Sequence, residues 1–529
     1  MSTAIGSPPA AAPAPEAPIP WLGLTAVLLG TFISTLTGRL SNFGLTDIRG
    51  AVHAGFDEGA WITTAFTAAQ MLVTPFAVWI GSMYGPRRIL MFAATSFAVT
   101  SALTPFAQNL STLLALQFLS GLGSGCFIPL TLSFILRVMP MRLWAYGVAL
   151  YALNLELSLN ISASLEGWYV ENFSWHWIFW QNVPLAMAMA ACLRGVKQSP
   201  PPAVIHRDVY GLCSYGIGLA LIYAGLDQGN RLDWRNSGLI WGLLLAGLIL
   251  LVAFVIHEMT APFPWLDFKV VLRRPLPLLL LSISILRLTI LSTAFLIPYY
   301  LGGVRGFRAL QVGDTLIWIA APQLIICPLA ALLLRRFDAR ITAGLGLCMV
   351  GFACMIVAYG LTPSWGSDQF LPSQLMQALG QSFALSGIVF TGVLNLRLQD
   401  ALTFGAMLQT ARLFGGEVGT AFIATMARLR EQRASNLIGQ HLQRGAPAVQ
   451  HQLQAYGHVL ARAGHPAAAA PALLANFVRV AATTQSTIDS FVAVAVVAAF
   501  GLVVLLILLP PPPTSPASHV PIFRRKPAE

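Results

Sequence analysis

The sequence predicts an all-α membrane protein with fourteen transmembrane helices. Three observations carry that prediction. Of 529 residues, 56% are hydrophobic and only 10% are charged, with a mean hydropathy of +0.71, whereas a soluble domain is about a quarter charged. The apolar residues fall in blocks of about 20, the length at which a helix crosses the hydrocarbon core. Strict polar–apolar alternation occurs in one stretch only, YALNLELSLNISASLEGWY at 151–169. A membrane barrel needs it in every segment of about ten residues. Backbone groups in lipid must be satisfied within the chain, so with a barrel excluded the spans are helices.

The elements follow in order. Residues 1–20, MSTAIGSPPAAAPAPEAPIP, lack a basic start and a cleavage site behind a short apolar core. They read as a disordered cytoplasmic tail, not a signal peptide. The apolar blocks lie at approximately 21–45, 59–81, 88–107, 112–136, 143–168, 175–193, 209–226, 237–256, 276–301, 311–334, 341–361, 371–396, 402–427 and 488–510. Loops on the side of the N-terminus, with the tail 511–529, hold seventeen basic residues, among them Arg87, Arg88, Arg335 and Arg336. The opposite short loops hold five: Arg49, Arg231, Arg235, Arg305 and Arg308. That asymmetry is the positive-inside rule and places both termini in the cytoplasm. The loop 428–487 is long enough to cross regardless of charge. Within it Val449, Leu453, Tyr456 and Leu460 form an amphipathic stripe, with breaks at Gly445-Ala446-Pro447 and Gly464-His465-Pro466. Spans 13 and 14 are expected to continue beyond the membrane as helices joined by a short helical segment.

Several function classes fall away. The net charge of +11 follows the topology, so nucleic acid is not an expected partner. The six cysteines, Cys126, Cys192, Cys213, Cys327, Cys348 and Cys354, all sit in apolar blocks without a CxxC pair, and the nine histidines have no ligand spacing. Neither disulfides nor a metal site are expected. GxxxxGK[ST] is absent, so no nucleotide cofactor and no enzyme activity are expected. Gly121, Gly123 and Gly125 form GLGSG inside a span, where small residues serve close helix packing. Gly415, Gly416 and Gly419 read the same way.

Particular phrases resemble the major facilitator superfamily, in its fourteen-span drug:proton antiporter branch of the EmrB/QacA type. They are DEGAWITTAFTAAQMLVTPFAVWI (57–80), LDQGNRLDW (226–234), FVIHEMTAPFPWLDFKV (254–270) and ARLFGGEVGTAF (411–422), with Gln485, Asp489 and Phe491 in the last span. The resemblance covers nearly the whole chain in order. It implies a major facilitator fold: a six-helix half at 21–194, two extra spans at 208–257, and a second six-helix half at 275–510. The signature motifs are altered. The loop YGPRR (84–88) has Ser82 at the usual aspartate, and RRFDAR (335–340) has Arg335 at the acidic position. LQFLSGLGSG (116–125) has Gln117 where the family places a coupling arginine. The branch's span-1 aspartate aligns with Thr37, and span 5 has Ser162, Ala163, Glu166 and Gly167 at the antiporter motif. The loop 428–487 resembles that of pumps in this branch that work with a periplasmic adaptor and an outer-membrane channel. That implies an inner-membrane location in a tripartite system; a solvated cap with no partner is the alternative.

The alternating stretch lies in the fifth span. On a helix it resolves into two polar stripes on opposite sides: Asn154, Ser158, Ser162 and Glu166, and Glu156, Asn160 and Ser164. No broad apolar face is left for lipid, so protein or a watery cavity must enclose it. Intramembrane charges each cost roughly 2.5–3.5 kcal/mol on insertion scales, which makes function the default reading. There are six: Glu156, Glu166 and Glu417 as candidate proton carriers, and Arg39, Arg287 and Arg412 as charge partners. A structural ion pair is the competing reading. By depth Arg39 reaches either glutamate of span 5 if spans 1 and 5 are neighbours. Arg412 and Glu417, five residues apart, should serve different neighbours. Arg287 pairs with an acid or binds an anionic substrate. Asn154, Asn160 and Gln117 are assigned to the substrate cavity.

The expected function is export of amphipathic organic compounds by proton antiport. Two alternatives stay open at this point: an uncoupled uniporter or importer of an organic anion or siderophore, and a non-transporting membrane scaffold.

Overall fold

The computed structural model describes residues 21–196 and 208–508, apart from 263, 267, 269–271, 273–274, 396–400, 441, 443–446, 463–465 and 467–468. The two tails, the basic residues Lys197, Arg207, Lys269, Arg273, Arg274 and Arg397, and the loop-break residues Gly445, Ala446, Gly464 and His465 lie outside the described residues.

The N-terminal half contains Trp21–Phe43, Trp61–Tyr84, Pro86–Leu103, Leu110–Gly125 running on into Phe127–Val138, Trp144–Asn172 and Asn182–Arg194. Val209–Gly229 and Gly238–Thr260 form an inserted pair. Leu276–Leu291 continues through a π-turn at 292–296 into Ile297–Arg305. Ala309–Arg336, Ala339–Gly360, Ser367–Leu394, Ala401–Gln440, Pro447–Arg462 and Ala470–Val503 complete the chain. Local chemistry sets several starts. Asn109, Asp208, Ser237 and Asp338 each place a side-chain oxygen on a backbone N–H of the first turn, satisfying a donor that the helix leaves orphaned.

Every predicted apolar block coincides with helix, but twelve helices among the described residues, not fourteen, are long and apolar enough to cross a membrane. The other two blocks fall short for physical reasons. Block 175–193 is broken at Gln181 and leaves a continuous helix of 13 residues, about 20 Å against a core of about 30 Å. Helix Ala401–Gln440 carries Arg412 and Glu417 in its first half and a polar second half.

The halves share one apolar core at the end of the bundle where the chain begins. Phe127, Leu130 and Phe134 pack there with Leu279, Ile283 and Phe404. A Cβ on Gly405 would stand 2.5 Å from the Pro129 carbonyl oxygen, so only glycine permits this approach. At the far end the cores separate. Leu36, Leu40, Ile48 and Ile178 belong to one half. Leu296, Ile297, Tyr300 and Phe370 belong to the other, joined by Ala163 alone from the first. One pair of helices bridges the halves along its length: Tyr146 meets Arg335 at one end, and Ser164 meets the Gly313 carbonyl at the other. The inserted helix Val209–Gly229 packs against Trp61–Tyr84. Its partner Gly238–Thr260 turns Trp241, Leu245, Ile249 and Ile256 outward, a face suited only to lipid.

Helix Ala401–Gln440 is 40 residues long, about 60 Å, twice the thickness of the hydrocarbon core. Its second half, Pro447–Arg462 and the start of Ala470–Val503 form a helical cap. Stacked Tyr456 and Phe477 rings, 5.5 Å apart, and the Arg430–Asp489 ion pair at 3.3 Å tie it together.

Candidate functional site: a charged cavity between the halves

A cavity of about 440 Å³ lies between the halves, towards the end where their cores separate. The first helix supplies Thr35 and Arg39; Trp61–Tyr84 supplies Thr63, Thr67 and Gln70. From the second half come Arg287, Leu291, Phe295 and Tyr299, then Arg412, Gly416 and Glu417. The inserted helix completes the wall with Tyr223 and Asp227. Arg412 is eleven residues into its helix and Arg39 eighteen into the first, depths of about 17 and 27 Å.

The alternating stretch is one continuous helix, and its polar residues are turned into protein. Glu156, Ser158, Asn160, Ser162 and Glu166 are all at most 2% exposed. The stripe of Glu156, Asn160 and Ser164 faces the second half. Asn160 Nδ2 donates to Gln323 Oε1 at 3.4 Å and Gln381 Oε1 at 3.2 Å, and also to the Glu156 carbonyl at 3.0 Å. Gln381 passes the chain on to Thr293 and Gln377. On the other stripe Ser158 and Ser162 return to carbonyls of their own helix, at 3.0 and 2.7 Å.

Both carboxylate oxygens of Glu156 lack a hydrogen-bond partner among the described residues. The charges acting on it are those of Arg287 and Arg412, not Arg39. Although spans 1 and 5 pack together, Arg39 points elsewhere: its Nη2 donates to the Ala294 carbonyl at 2.8 Å, with Arg287 and Tyr223 nearby. Depth along the axis brought Arg39 level with the glutamates, but its direction round the helix aims it into the cavity. Glu166 stands apart, against Gly44 and in the field of Asp47 and Glu171.

Arg412 and Glu417 do serve different neighbours. Arg412 Nε donates to Gln409 Oε1 at 3.0 Å and Nη1 to Thr35 Oγ1 at 3.3 Å. Glu417 faces Tyr223 and Asp227, and its Oε1 is buried without a partner among the described residues. The glycines divide similarly. A Cβ on Gly121 would sit 2.2 Å from the Phe66 carbonyl oxygen and one on Gly415 2.5 Å from Ser284 Cα, whereas Gly416 opens onto the Arg287 guanidinium.

Asn154, Asn160 and Gln117 are not among the cavity's lining residues. Asn160 is held at the joint between the halves, and Gln117 is buried with both amide atoms lacking partners among the described residues. Tyr223 and Asp227 are among the lining residues that sequence reasoning missed. The signal for Asp227 was the phrase LDQGNRLDW (226–234), which places an acid just past the end of the apolar block 209–226. Asp227 is held by Thr64 and Gln228, with Arg231 nearby.

Two helical halves around one charged, membrane-embedded cavity, sharing an apolar core at one end and keeping separate cores at the other, define a multi-pass membrane transporter. The chain belongs to the Major Facilitator Superfamily, whose sequence profile matches residues 27–421. It is similar to a probable multidrug resistance protein, EmrY, of Escherichia coli K12, 28% identical over 78% of this chain and 81% of that one. It is also similar to the multidrug export protein EmrB of Haemophilus influenzae, 26% identical over 82% of this chain and 86% of that one. Among solved structures it shares its fold with the human organic anion transporter MFSD10, with a TM-score of 0.59, 11% identity, and coverage of 92% of this chain and all of that one.

Proposed function

We propose that this protein exports amphipathic organic compounds from the cell by proton antiport and alternating access. It sits in the inner membrane with both termini in the cytoplasm. The observation that carries the proposal is a buried carboxylate at the joint between the halves, Glu156, with no hydrogen-bond partner of its own among the described residues and two arginines within electrostatic reach. An ionised carboxylate is costly in a dry site unless it is paired. Glu156 therefore has two stable conditions: protonated, or ionised with Arg287 and Arg412 drawn onto it. Each condition favours a different arrangement of the halves, and exchange between them ties proton movement to the opening of alternate ends. Glu417, with Asp227 beside it, forms a second acidic group on the cavity wall. Glu166, near the far end, serves gating. The printed names of the relatives, a multidrug resistance and a multidrug export protein, support the exporter reading.

The cap supports a further part of the proposal, that the protein is the inner-membrane member of a tripartite system in which a periplasmic adaptor and an outer-membrane channel take over the substrate. The test is a flux measurement in everted vesicles carrying an imposed pH gradient. Addition of toxic amphipathic compounds should dissipate the gradient in proportion to their uptake. Uptake that ignores the gradient would make the protein a uniporter, and no uptake of any compound would make it a scaffold.

A further inference from the structure

A second pair of buried acids stands far from the cavity, where the inserted helices reach the end of the bundle at which the chain begins. Asp208 caps the start of Val209–Gly229, and Glu258 lies in the last turn of Gly238–Thr260. They are 8% and 4% exposed. One oxygen of each is occupied. Asp208 Oδ1 accepts from the Gly211 N–H at 2.9 Å and meets His257 Nε2 at 2.8 Å. Glu258 Oε2 accepts from the Leu266 N–H at 3.3 Å. The other two oxygens, Asp208 Oδ2 and Glu258 Oε1, are buried with no hydrogen-bond donor among the described residues. These two converge: a Cβ on Gly211 would lie no more than 2.5 Å from each. Two ionised carboxylates repel strongly in a dry site, and acids brought together there hold one proton between them. Asp208, with two partners on its other oxygen, is the ionised member. Glu258 carries the proton and donates it to Asp208 Oδ2.

Few other groups face the pair. Val209–Gly229 adds Tyr210, whose ring lies 4.8 Å from that of His257. The linker adds the N–H groups of Trp265 and Leu266. Trp61–Tyr84, packed along the inserted helix, presents apolar Leu72 and Phe76 at Gly216. The charged groups acting on the pair are His257 and the two carboxyls themselves. Through Leu266 the pair also holds the linker 261–275, which leads into Leu276–Leu291, the helix of Arg287. Trp265 rests there on Tyr215 and Phe254, at 5.4 and 6.4 Å, and Phe268 on Phe254 at 6.1 Å.

We propose that Asp208 and Glu258 form a proton-binding site that clasps the linker to the inserted pair, and that loss of the shared proton frees the linker. The sign follows from the arrangement: the clasp is closed while the proton is held and opens as pH rises and both acids ionise. The site is separate from Glu156. It reads proton supply at the end where the shared core must part, and a freed linker lets the second half move there.

The test is double electron–electron resonance on the full-length protein in phosphatidylcholine nanodiscs. Spin labels go on Ile217→Cys and Leu272→Cys in a cysteine-free background; both side chains are exposed, at 42% and 67%. From about pH 6 to about pH 9 an ordinary carboxyl stays ionised throughout. The wild-type distance distribution should be narrow at the lower pH and broad at the higher. Glu258→Gln keeps a donor towards Asp208 but has no proton to lose, so it should stay narrow across the range. If that variant does not fold, Asp208→Asn removes the opposing charge and should likewise stay narrow. A wild-type distribution that ignores pH overturns the proposal. So does broadening in the glutamine or asparagine variant to the wild-type extent, which would assign the change to His257 or another group. The measurement involves no substrate, so neither result bears on the exporter reading.

Discussion

Glu156 and Asp208 show how two acids in one chain are given opposite tasks. Glu156 is fully buried without a hydrogen-bond partner among the described residues. Asp208 caps its helix through the Gly211 N–H at 2.9 Å and meets His257 at 2.8 Å. The Glu156→Gln variant keeps shape but cannot release a proton. It should insert, fold and bind substrate, yet lose uphill transport in proteoliposomes; normal uphill transport would shift the carrier role to Glu417. For Asp208, burial opposes ionisation, but the Gly211 and His257 contacts outweigh it and hold the carboxyl below its usual range. The stabilisation is thus present above the ordinary carboxylate value of about 3.9 and is lost as pH falls through the lower folded value. Asp208→Asn should unfold at a temperature less dependent on pH between neutrality and strong acid, and Asp208→Ala should cost about 1 kcal/mol from the cap. A wild-type pH profile in Asp208→Asn would remove the charge from this account. The identity of the intramembrane charges was legible in the sequence because charge stands out in apolar blocks. Their pairing was not. Spacing fixes which side of its own helix a residue occupies, but not which neighbour lies there, so Arg39 was matched in depth to glutamates it does not face.

At the level of elements, periodicity was a good guide where one environment surrounds a helix. The blocks became helices, and the alternating stretch became one helix enclosed by protein because its two stripes meet different neighbours. Where a single block faces several environments, hydropathy fails. Ala401–Gln440 packs in the bundle, lines the cavity and leaves the membrane, so no one pattern describes it. The cavity role of the inserted helix was equally hidden, since Tyr223 and Asp227 gain meaning only from Thr64, Thr67 and Glu417 across the gap. The cap is the element whose function is most open to test. Deleting 436–470 removes its tip but spares the Arg430–Asp489 pair. The deleted protein should reach the membrane at normal levels while resistance and cross-linking to an adaptor are abolished. Full resistance would remove the adaptor from the proposal.

For the whole molecule, the asymmetry of the cores defines the state. The halves share a core at the end where the chain begins and keep separate ones at the other, so the cavity belongs to the far end. Alternation requires the shared core to part, and one close approach within it is Gly405 against Pro129. Gly405→Leu would overpack that point, which costs roughly 1–3 kcal/mol when a core cannot yield. The variant should favour the form in which this end is parted. Leu408, only 3% exposed, replaced by cysteine in a cysteine-free background, should change from unreactive to readily labelled by maleimide. Uphill transport should fall by about thirtyfold, the rate equivalent of the middle of that cost. Unchanged labelling would mean that the contact is not part of the closure.

One consequence of the 40-residue helix is mechanical. It carries Arg412 and Glu417 in the cavity and ends at Gln440 in the cap, about 34 Å beyond Glu417 at 1.5 Å per residue. Such a rod is a lever with its load arm outside the membrane. A tilt of about 10° at the carboxylate swings the tip by about 6 Å over that length, enough to make or break a side-chain contact. Events at the binding site are thereby broadcast, amplified, to whatever touches the cap, and a grip on the cap pushes back on the site with the same leverage.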